Sequence, residues 1–359
     1  MKVILVGGFL GSGKTTGIVT ACQLMKAENR TVAVITNDQG DQQVDRAYVE
    51  SLRIESKEVS NGCFCCNYNQ LDQHLQQLTR TTAPEFIFAE AVGSCTDMLA
   101  TVVRPLKKFN PEISTQLCVF LDAELLTAVL ENKASFISES VRYIYKKQIE
   151  EAEVLIINKT DRITAAQQLV LRDILANEYP ASQLLFQNSL DANSSNTWIN
   201  LIKGDDQPSD RRSPEIDYEI YGKGEAGLAW VDKSLTLTLT THDNDAPRVV
   251  RALIGRIFDQ LQEQRLVIGH LKFFLDSSSG NQKISFTTTS TSSTVTVSLP
   301  DTQRIQLMIN ARVQTSPAGL LAIVDAAIEW ASSRFQCRIE NGNTAAFAPG
   351  FPKPTYRMV

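Results

Sequence analysis

No apolar run in this chain reaches the roughly 18–20 residues that a membrane-spanning helix requires, and no block of five or six like charges occurs. The first absence argues against a bilayer partner. The second, with a net charge of −5, argues against nucleic acid or an acidic membrane surface. Histidine is scarce: three residues against seven cysteines. The first residues, Met1-Lys2-Val3-Ile4-Leu5-Val6, run directly into glycines and read as a core strand, not as a signal peptide. The expectation is a cytoplasmic protein. What is present is ordinary for a globular chain: 359 residues, 43% hydrophobic and 21% charged. That is enough for two cores at about 100–200 residues each.

Short apolar runs alternate with helical patterns over the first 200 residues. Strands are expected at 2–7, 31–37, 86–92, 117–122, 154–158 and 183–188, and helices at 15–27, 70–80, 98–107, 138–151 and 165–177. Strand–helix alternation with continuously apolar strands predicts an α/β domain with a mostly parallel sheet over residues 1–203. Gly, Pro, Ser and Asp then dominate, and 204–228 reads as a linker. Beyond it, strands at 235–240, 267–275, 283–287, 294–299 and 305–312 and helices at 248–263 and 318–334 predict a smaller α+β domain over 229–336. The Ser/Thr-rich run at 287–294 reads as a solvated hairpin edge, and 337–359 as an irregular tail.

Gly8-Phe9-Leu10-Gly11-Ser12-Gly13-Lys14-Thr15 fits G-x-x-x-x-G-K-[ST], after a strand and at the start of a helix. Glycines there let backbone N–H groups turn inward around phosphate oxygens, and the helix N-terminus adds partial positive charge. Lys14 is placed to reach the β- and γ-phosphates, and Thr15 to offer a hydroxyl to Mg²⁺. Asn158-Lys159-Thr160-Asp161 stands at the end of a later strand. A carboxylate at Asp161 can accept from both N1–H and N2–H₂ of guanine. Adenine has no such donor pair, so it would leave that carboxylate unmatched.

Cys63-Phe64-Cys65-Cys66 follows Asn61-Gly62. Thiolates are soft ligands suited to Zn²⁺, Cu(I) and similar ions, and three of them leave a four-coordinate site incomplete. Buried core cysteines or a redox pair are the alternatives. His74 is a candidate fourth ligand or a helix-surface residue. Cys22, Cys95, Cys118 and Cys337 read as packing residues. Asn37-Asp38-Gln39-Gly40, with Asp41 and Asp45 nearby, follows the second strand, and Glu90-Ala91-Val92-Gly93 ends another. In P-loop enzymes such strand ends converge on the γ-phosphate and Mg²⁺. Asp38 and Glu90 are therefore candidates for catalysis and metal contact. Gly93 can present its N–H to the γ-phosphate and swing when that group leaves. Asp122 is either functional or a helix cap.

The combination resembles the CobW family of P-loop GTPases, relatives of the nickel-insertion GTPases of hydrogenase and urease maturation. The residues that carry the resemblance are the run at 7–16, which ends Lys14-Thr15-Thr16, with 62–66, 90–93 and 158–161. The resemblance implies a slow, Mg²⁺-dependent GTPase that couples nucleotide state to delivery of a metal or metal cofactor. It implies phosphate binding by Gly8, Gly11, Ser12, Gly13, Lys14, Thr15 and Thr16, guanine recognition by Asn158, Lys159 and Asp161, and a switch at Glu90 and Gly93. It further implies a transition metal, Zn²⁺ or similar, on Cys63, Cys65 and Cys66. The implied partners are a client metalloprotein or corrinoid protein and a second copy in a nucleotide-dependent homodimer. Two departures stand out. Asp38 replaces the family's usual Glu, and the histidine-rich stretches of many zinc- or nickel-handling members are missing, which points toward transient thiolate handling. A P-loop small-molecule kinase and a non-hydrolytic GTP-dependent assembly factor are the alternative functions.

Overall fold

A computed structural model of the chain describes residues 1–40, 44–60, 62–131, 133–134, 137–204, 211–240 and 245–359. Asp41 and Asn61, singled out above, lie outside the described residues. The chain divides into two compact units. The first comprises Met1–Gln39, Leu52–Gly224 and Phe351–Val359, and the second comprises Gly40–Ser51 and Glu225–Gly350.

In the first unit, β1 (Lys2–Gly7), β2 (Val32–Asn37), β3 (Glu55–Val59), β4 (Phe86–Glu90), β5 (Ser114–Asp122), β6 (Val154–Asn158) and β7 (Gln183–Phe186) form one parallel sheet. Their order is β3-β2-β4-β1-β5-β6-β7. Every residue of β1, β4 and β6 is buried, as helices on both faces of a parallel sheet demand. The helices are α1 (Lys14–Ala27), α3 (Tyr68–Thr81), α4 (Arg104–Phe109), α5 (Ala123–Leu130), α6 (Glu139–Glu151), α7 (Ala165–Glu178), α8 (Ala192–Lys203) and α9 (Tyr218–Ala226), the last of which belongs to this unit as far as Gly224. The intervening α2 (Val44–Ser51) belongs to the second unit. Trp198 of α8 is fully buried between Phe120 and Phe88, with ring centroids 5.1 and 5.8 Å away, and its indole N–H donates to Cys118 Sγ. Because all seven strands run the same way, their C-terminal ends bring the P-loop, Asn37, Glu90 and Asn158 to one edge of the sheet.

The second unit is an antiparallel sheet of β8 (Ala229–Leu239), β9 (Ile268–Ser277), β10 (Gly280–Thr287), β11 (Arg304–Val313) and β12 (Cys337–Phe347), ordered β10-β9-β11-β8-β12. Alternation sorts its two faces. Leu235, Leu237, Phe273, Leu275, Leu307 and Ile309 join the core formed with α10 (Ala246–Glu263) and α11 (Pro317–Phe335). The opposite face is polar though buried. Arg312 pairs with Asp232 at 2.6 Å and lies over the Trp230 ring, while Asn310 donates to the same Asp232 oxygen and accepts the Val44 N–H of α2. Lys272 and Lys283 both grip Asp45 of α2, at 2.5 and 2.6 Å.

The structure departs from the sequence reading in four places. The 204–228 stretch contains α9, and the tail expected to be irregular from 337 opens with the edge strand β12. Residues 294–299 join no ladder. Val295 and Val297 do pack against the core, but the Gln282 side chain bonds to Thr296 O and Ser298 N where a neighbouring strand would. The helix expected at 98–107 is a π turn over Leu99–Val103 that runs into α4.

Candidate functional site

The P-loop of the first unit curls between β1 and α1 with positive φ at Gly8, Gly11 and Gly13. Gly13 has φ +92°, and a Cβ there would fall 2.3 Å from Asn158 Nδ2, so any side chain would collide as well as strain the backbone. Asn158 explains the closeness. Its amide donates to Ser12 O at 2.8 Å and accepts from Ser189 N and Oγ at 3.0 and 2.9 Å. One buried side chain thus ties the P-loop to the segments after β6 and β7. Lys159, at φ +61°, reaches Asp122 at 2.6 Å. The other Asp122 oxygen caps α5 through Glu124 N and Leu125 N, so Asp122 is a helix cap and a lysine partner. Asp161 stands exposed in the short turn Thr160–Arg162.

Lys14 Nζ folds onto the loop carbonyls of Gly8 and Phe9, at 2.8 and 3.3 Å. Thr15 Oγ1 donates to Glu90 Oε1 at 2.8 Å, within a buried pair. Ser12 Oγ is buried with no hydrogen-bond partner among the described residues. An orphaned hydroxyl, an inward lysine and a Thr–carboxylate pair at a helix N-terminus fit a nucleoside triphosphate with Mg²⁺: they supply donors, positive charge and hard oxygen ligands together. Gly93 leaves the end of β4 so close to the P-loop that a Cβ would lie 2.9 Å from Leu10 N. Gln148 of α6 fixes that segment by donating to Gly93 O and Cys95 O, at 3.0 and 2.8 Å.

The three clustered cysteines meet. A tight turn, with Cys66 N and Asn67 N both bonded to Cys63 O, brings Cys63 Sγ to 2.7 Å from Cys65 Sγ and 3.3 Å from Cys66 Sγ. All three ligand atoms lie within 4.8 Å of one another. Asn37 of β2 holds the loop in place. It donates to Val59 O and Gly62 O and accepts from Phe64 N. Hydrogen bonds from Cys65, Cys66 and Cys95 hold the Cys63 thiol well below its ordinary range, overriding burial. The bond that Cys66 makes to Cys63 pushes Cys66 up to about 11. The cluster therefore favours one thiolate at Cys63, a nucleophilic start for a soft cation. The C-terminal residues return to this loop. Lys353 N donates to Cys66 Sγ at 3.2 Å, and Thr355 bonds to Cys65 O and Cys66 O. Arg357 pairs with buried Asp97 at 2.8 Å.

Other expected residues fall elsewhere. His74 Nε2 bonds to Glu58 O at 2.8 Å, as a helix-surface residue does. Asp38 is half-buried at the end of β2 and accepts from the N–H of Gln39. Asp45 is engaged by its two lysines in the second unit. Burial alone would raise its pKa, but Lys272 and Lys283 hold it well below the usual carboxylate range. Gln148, Ser189 and the tail at 351–359 escaped the sequence reading, because their partners lie far away in the chain.

A family model described as CobW/HypB/UreG, nucleotide-binding domain, matches residues 2–185. The zinc chaperone YeiR of Escherichia coli is 30% identical over 171 residues, which cover 47% of this chain and 49% of that protein. The zinc chaperone CobW of Pseudomonas aeruginosa is 25% identical over 219 residues, covering 53% and 56%. The crystal structure of the Zn(II)-bound YjiA GTPase from Escherichia coli aligns over 91% of this chain and 98% of that one, at 14% identity and a TM-score of 0.38. This chain spans about half the length of the curated relatives it matches.

Proposed function

Because this chain belongs to the CobW/HypB/UreG nucleotide-binding family, we propose that it is a GTPase whose nucleotide state governs a thiolate site carrying a transition metal, for which zinc is the first candidate. The zinc chaperones among its relatives support that metal. P-loop amides and Lys14 hold the phosphates and take up the negative charge that builds on them. Thr15 and Glu90 provide oxygen ligands for Mg²⁺, and Glu90 or Asp38 orients the attacking water. Asp161 selects guanine, and Asn158 keeps the base-recognition segment against the P-loop. Mg²⁺ supplies Lewis-acid chemistry at the phosphates.

One observation carries the coupling. The segment that packs Gly93 against the P-loop runs directly into Cys95 beside the cysteine cluster, and a single side chain, Gln148, holds both carbonyls. A shift of Gly93 on loss of the γ-phosphate would then move the surroundings of the thiols. The client is a metalloprotein, with corrinoid proteins as the specific candidate class, and the active form is a nucleotide-dependent homodimer in the cytoplasm. No helix among the described residues is long and apolar enough to cross a membrane. The test is a competition titration of Zn²⁺ against protein loaded with a non-hydrolysable GTP analogue or with GDP. Coupling requires different affinities in the two states, and by reciprocity zinc must change nucleotide affinity by the same factor. Equal affinities would end the proposal.

A further inference from the structure

We propose that Cys95 is a fourth ligand of the metal held by Cys63, Cys65 and Cys66, making the site an all-sulfur one. The inference rests on the metal-binding reading above and deepens it. A structural or transfer site for a soft divalent ion takes four ligands in a tetrahedron, and the 63–66 loop offers three. Among the described histidines, His74 is committed to a backbone carbonyl.

Cys95 arrives from another part of the chain. It is buried, and its thiol lies close enough to those of Cys63 and Cys65 to perturb both. It is not among the three whose ligand atoms all lie within 4.8 Å of one another. Its backbone is anchored from both sides, by Cys95 N donating to Val92 O at 2.9 Å and by Gln148 donating to Cys95 O. An ion with about 2.3 Å to each sulfur sets the sulfurs of a tetrahedron roughly 3.8 Å apart. The present separations of 2.7, 3.3 and 3.8 Å therefore need to open modestly, and Cys95 needs to close. Each incoming thiol gives up its proton as the ion binds. Position gives the fourth ligand its interest: three sulfurs ride on the loop after β3, and the fourth rides two residues beyond Gly93. A site shared between these segments is complete only when the segment after β4 is correctly placed.

The experiment uses the full chain, reduced and metal-free, with Co²⁺ as the spectroscopic probe. The sulfur-to-cobalt charge-transfer intensity per bound ion follows the number of thiolates. Cys95→Ser should lower it by about one quarter relative to wild type, and weaken Zn²⁺ binding in competition by at least about tenfold. Guanine nucleotide binding and circular dichroism check that the variant is folded. X-ray absorption of the zinc-loaded wild type gives a reading independent of any variant: four sulfurs are expected in the first coordination sphere. Three sulfurs with one lighter atom, or a Cys95→Ser spectrum identical to wild type, would overturn the role of Cys95 and leave the three-cysteine site standing. A wild type with no charge-transfer band would remove the metal-binding reading itself, and this inference with it.

Discussion

The side chain of Asn37 is the clasp of Phe64: Asn37 Oδ1 accepts the Phe64 N–H at 2.9 Å, while its amide group donates to Gly62 O at 2.7 Å. The residue that ends β2 therefore fixes the backbone of the cysteine loop on both sides of Cys63. Replacing Asn37 with Ala strands the buried Phe64 N–H and removes the side-chain donor to Gly62 O, while Val59 O keeps the Asp38 N–H. The expected loss is about 2–3 kcal/mol of stability. Because the Asn37 contacts lie on the cysteine loop and not on the P-loop, Asn37→Ala should weaken Zn²⁺ binding while GDP binding changes little. Urea unfolding and parallel titrations check both. Equal losses for zinc and nucleotide would contradict the assignment.

Glu90 is bonded to Thr15 from the far end of β4. Glu90→Gln keeps an acceptor for the Thr15 hydroxyl but removes the charge. Its expected effect is a fall in the GTP turnover number of about a hundredfold or more, with GDP affinity near wild type. Single-turnover hydrolysis measured at saturating Mg²⁺ decides it. An unchanged rate would take Glu90 out of the chemistry.

Asp161 stands exposed at the turn after β6, free to meet a base. Asp161→Asn exchanges an acceptor-only group for an amide that can also donate. GTP binding should weaken by about ten- to a hundredfold, the worth of a charged hydrogen bond. Xanthosine triphosphate, which carries a carbonyl where guanine has its amino group, should gain affinity. A variant that keeps its preference for GTP would show that Asp161 does not read the base.

The P-loop and the Asn158–Asp161 turn were legible because each is a local pattern whose neighbours in space are also neighbours in sequence. The central strands were legible because burial on both faces makes them continuously apolar. β3 was not. It is the edge strand of its sheet, and Glu55, Lys57 and Glu58 leave no apolar run to read. β12 is likewise an edge strand with a mostly exposed surface. Residues 294–299 misled in the opposite sense, because their alternation reports one-sided burial, which an unpaired segment can also have. Nothing local joins Cys95 to Cys63: the segment that carries Cys95 follows β4, which pairs with β2, while the 63–66 loop follows β3 on the other side of β2. Asp45 stands near Asp38 in sequence, yet α2 carries it into the second unit, where Lys272 and Lys283 engage it.

Glu151 gives the first unit a pH dependence. Its carboxyl is buried and accepts from Thr96 Oγ1 and Leu99 N at 3.0 and 3.3 Å. Burial, with the nearby Asp97 charge, pushes its pKa up to about 8. A carboxyl raised in the folded state binds its proton more tightly there than when unfolded. Its contribution is therefore full below the unfolded value and is lost as pH rises through about 8. Wild type should lose up to a few kcal/mol between mildly acidic and mildly alkaline pH. Glu151→Gln should flatten that slope and be the more stable form above pH 8. Urea midpoints across this range provide the comparison, and parallel slopes for the two proteins would refute it.

Asp45 tests the second unit on its own terms. Its carboxylate is shared by Lys272 and Lys283, and the Lys283 ammonium also lies 5.0 Å from the centre of the Tyr48 ring. Asp45→Asn removes the carboxylate charge that both half-buried ammonium groups share. Breaking such a pair from one side costs more than the pair contributes, typically about 3–5 kcal/mol, with the lower end expected because the lysines retain some access to water. Replacing all three at once, Asp45→Asn with Lys272→Met and Lys283→Met, removes both ammonium charges as well and should recover much of that loss. The comparison separates electrostatics from helix packing. If the triple variant is as unstable as Asp45→Asn alone, what secures α2 on the sheet is its packing and the Val44–Asn310 hydrogen bond, and the lysine pair contributes little.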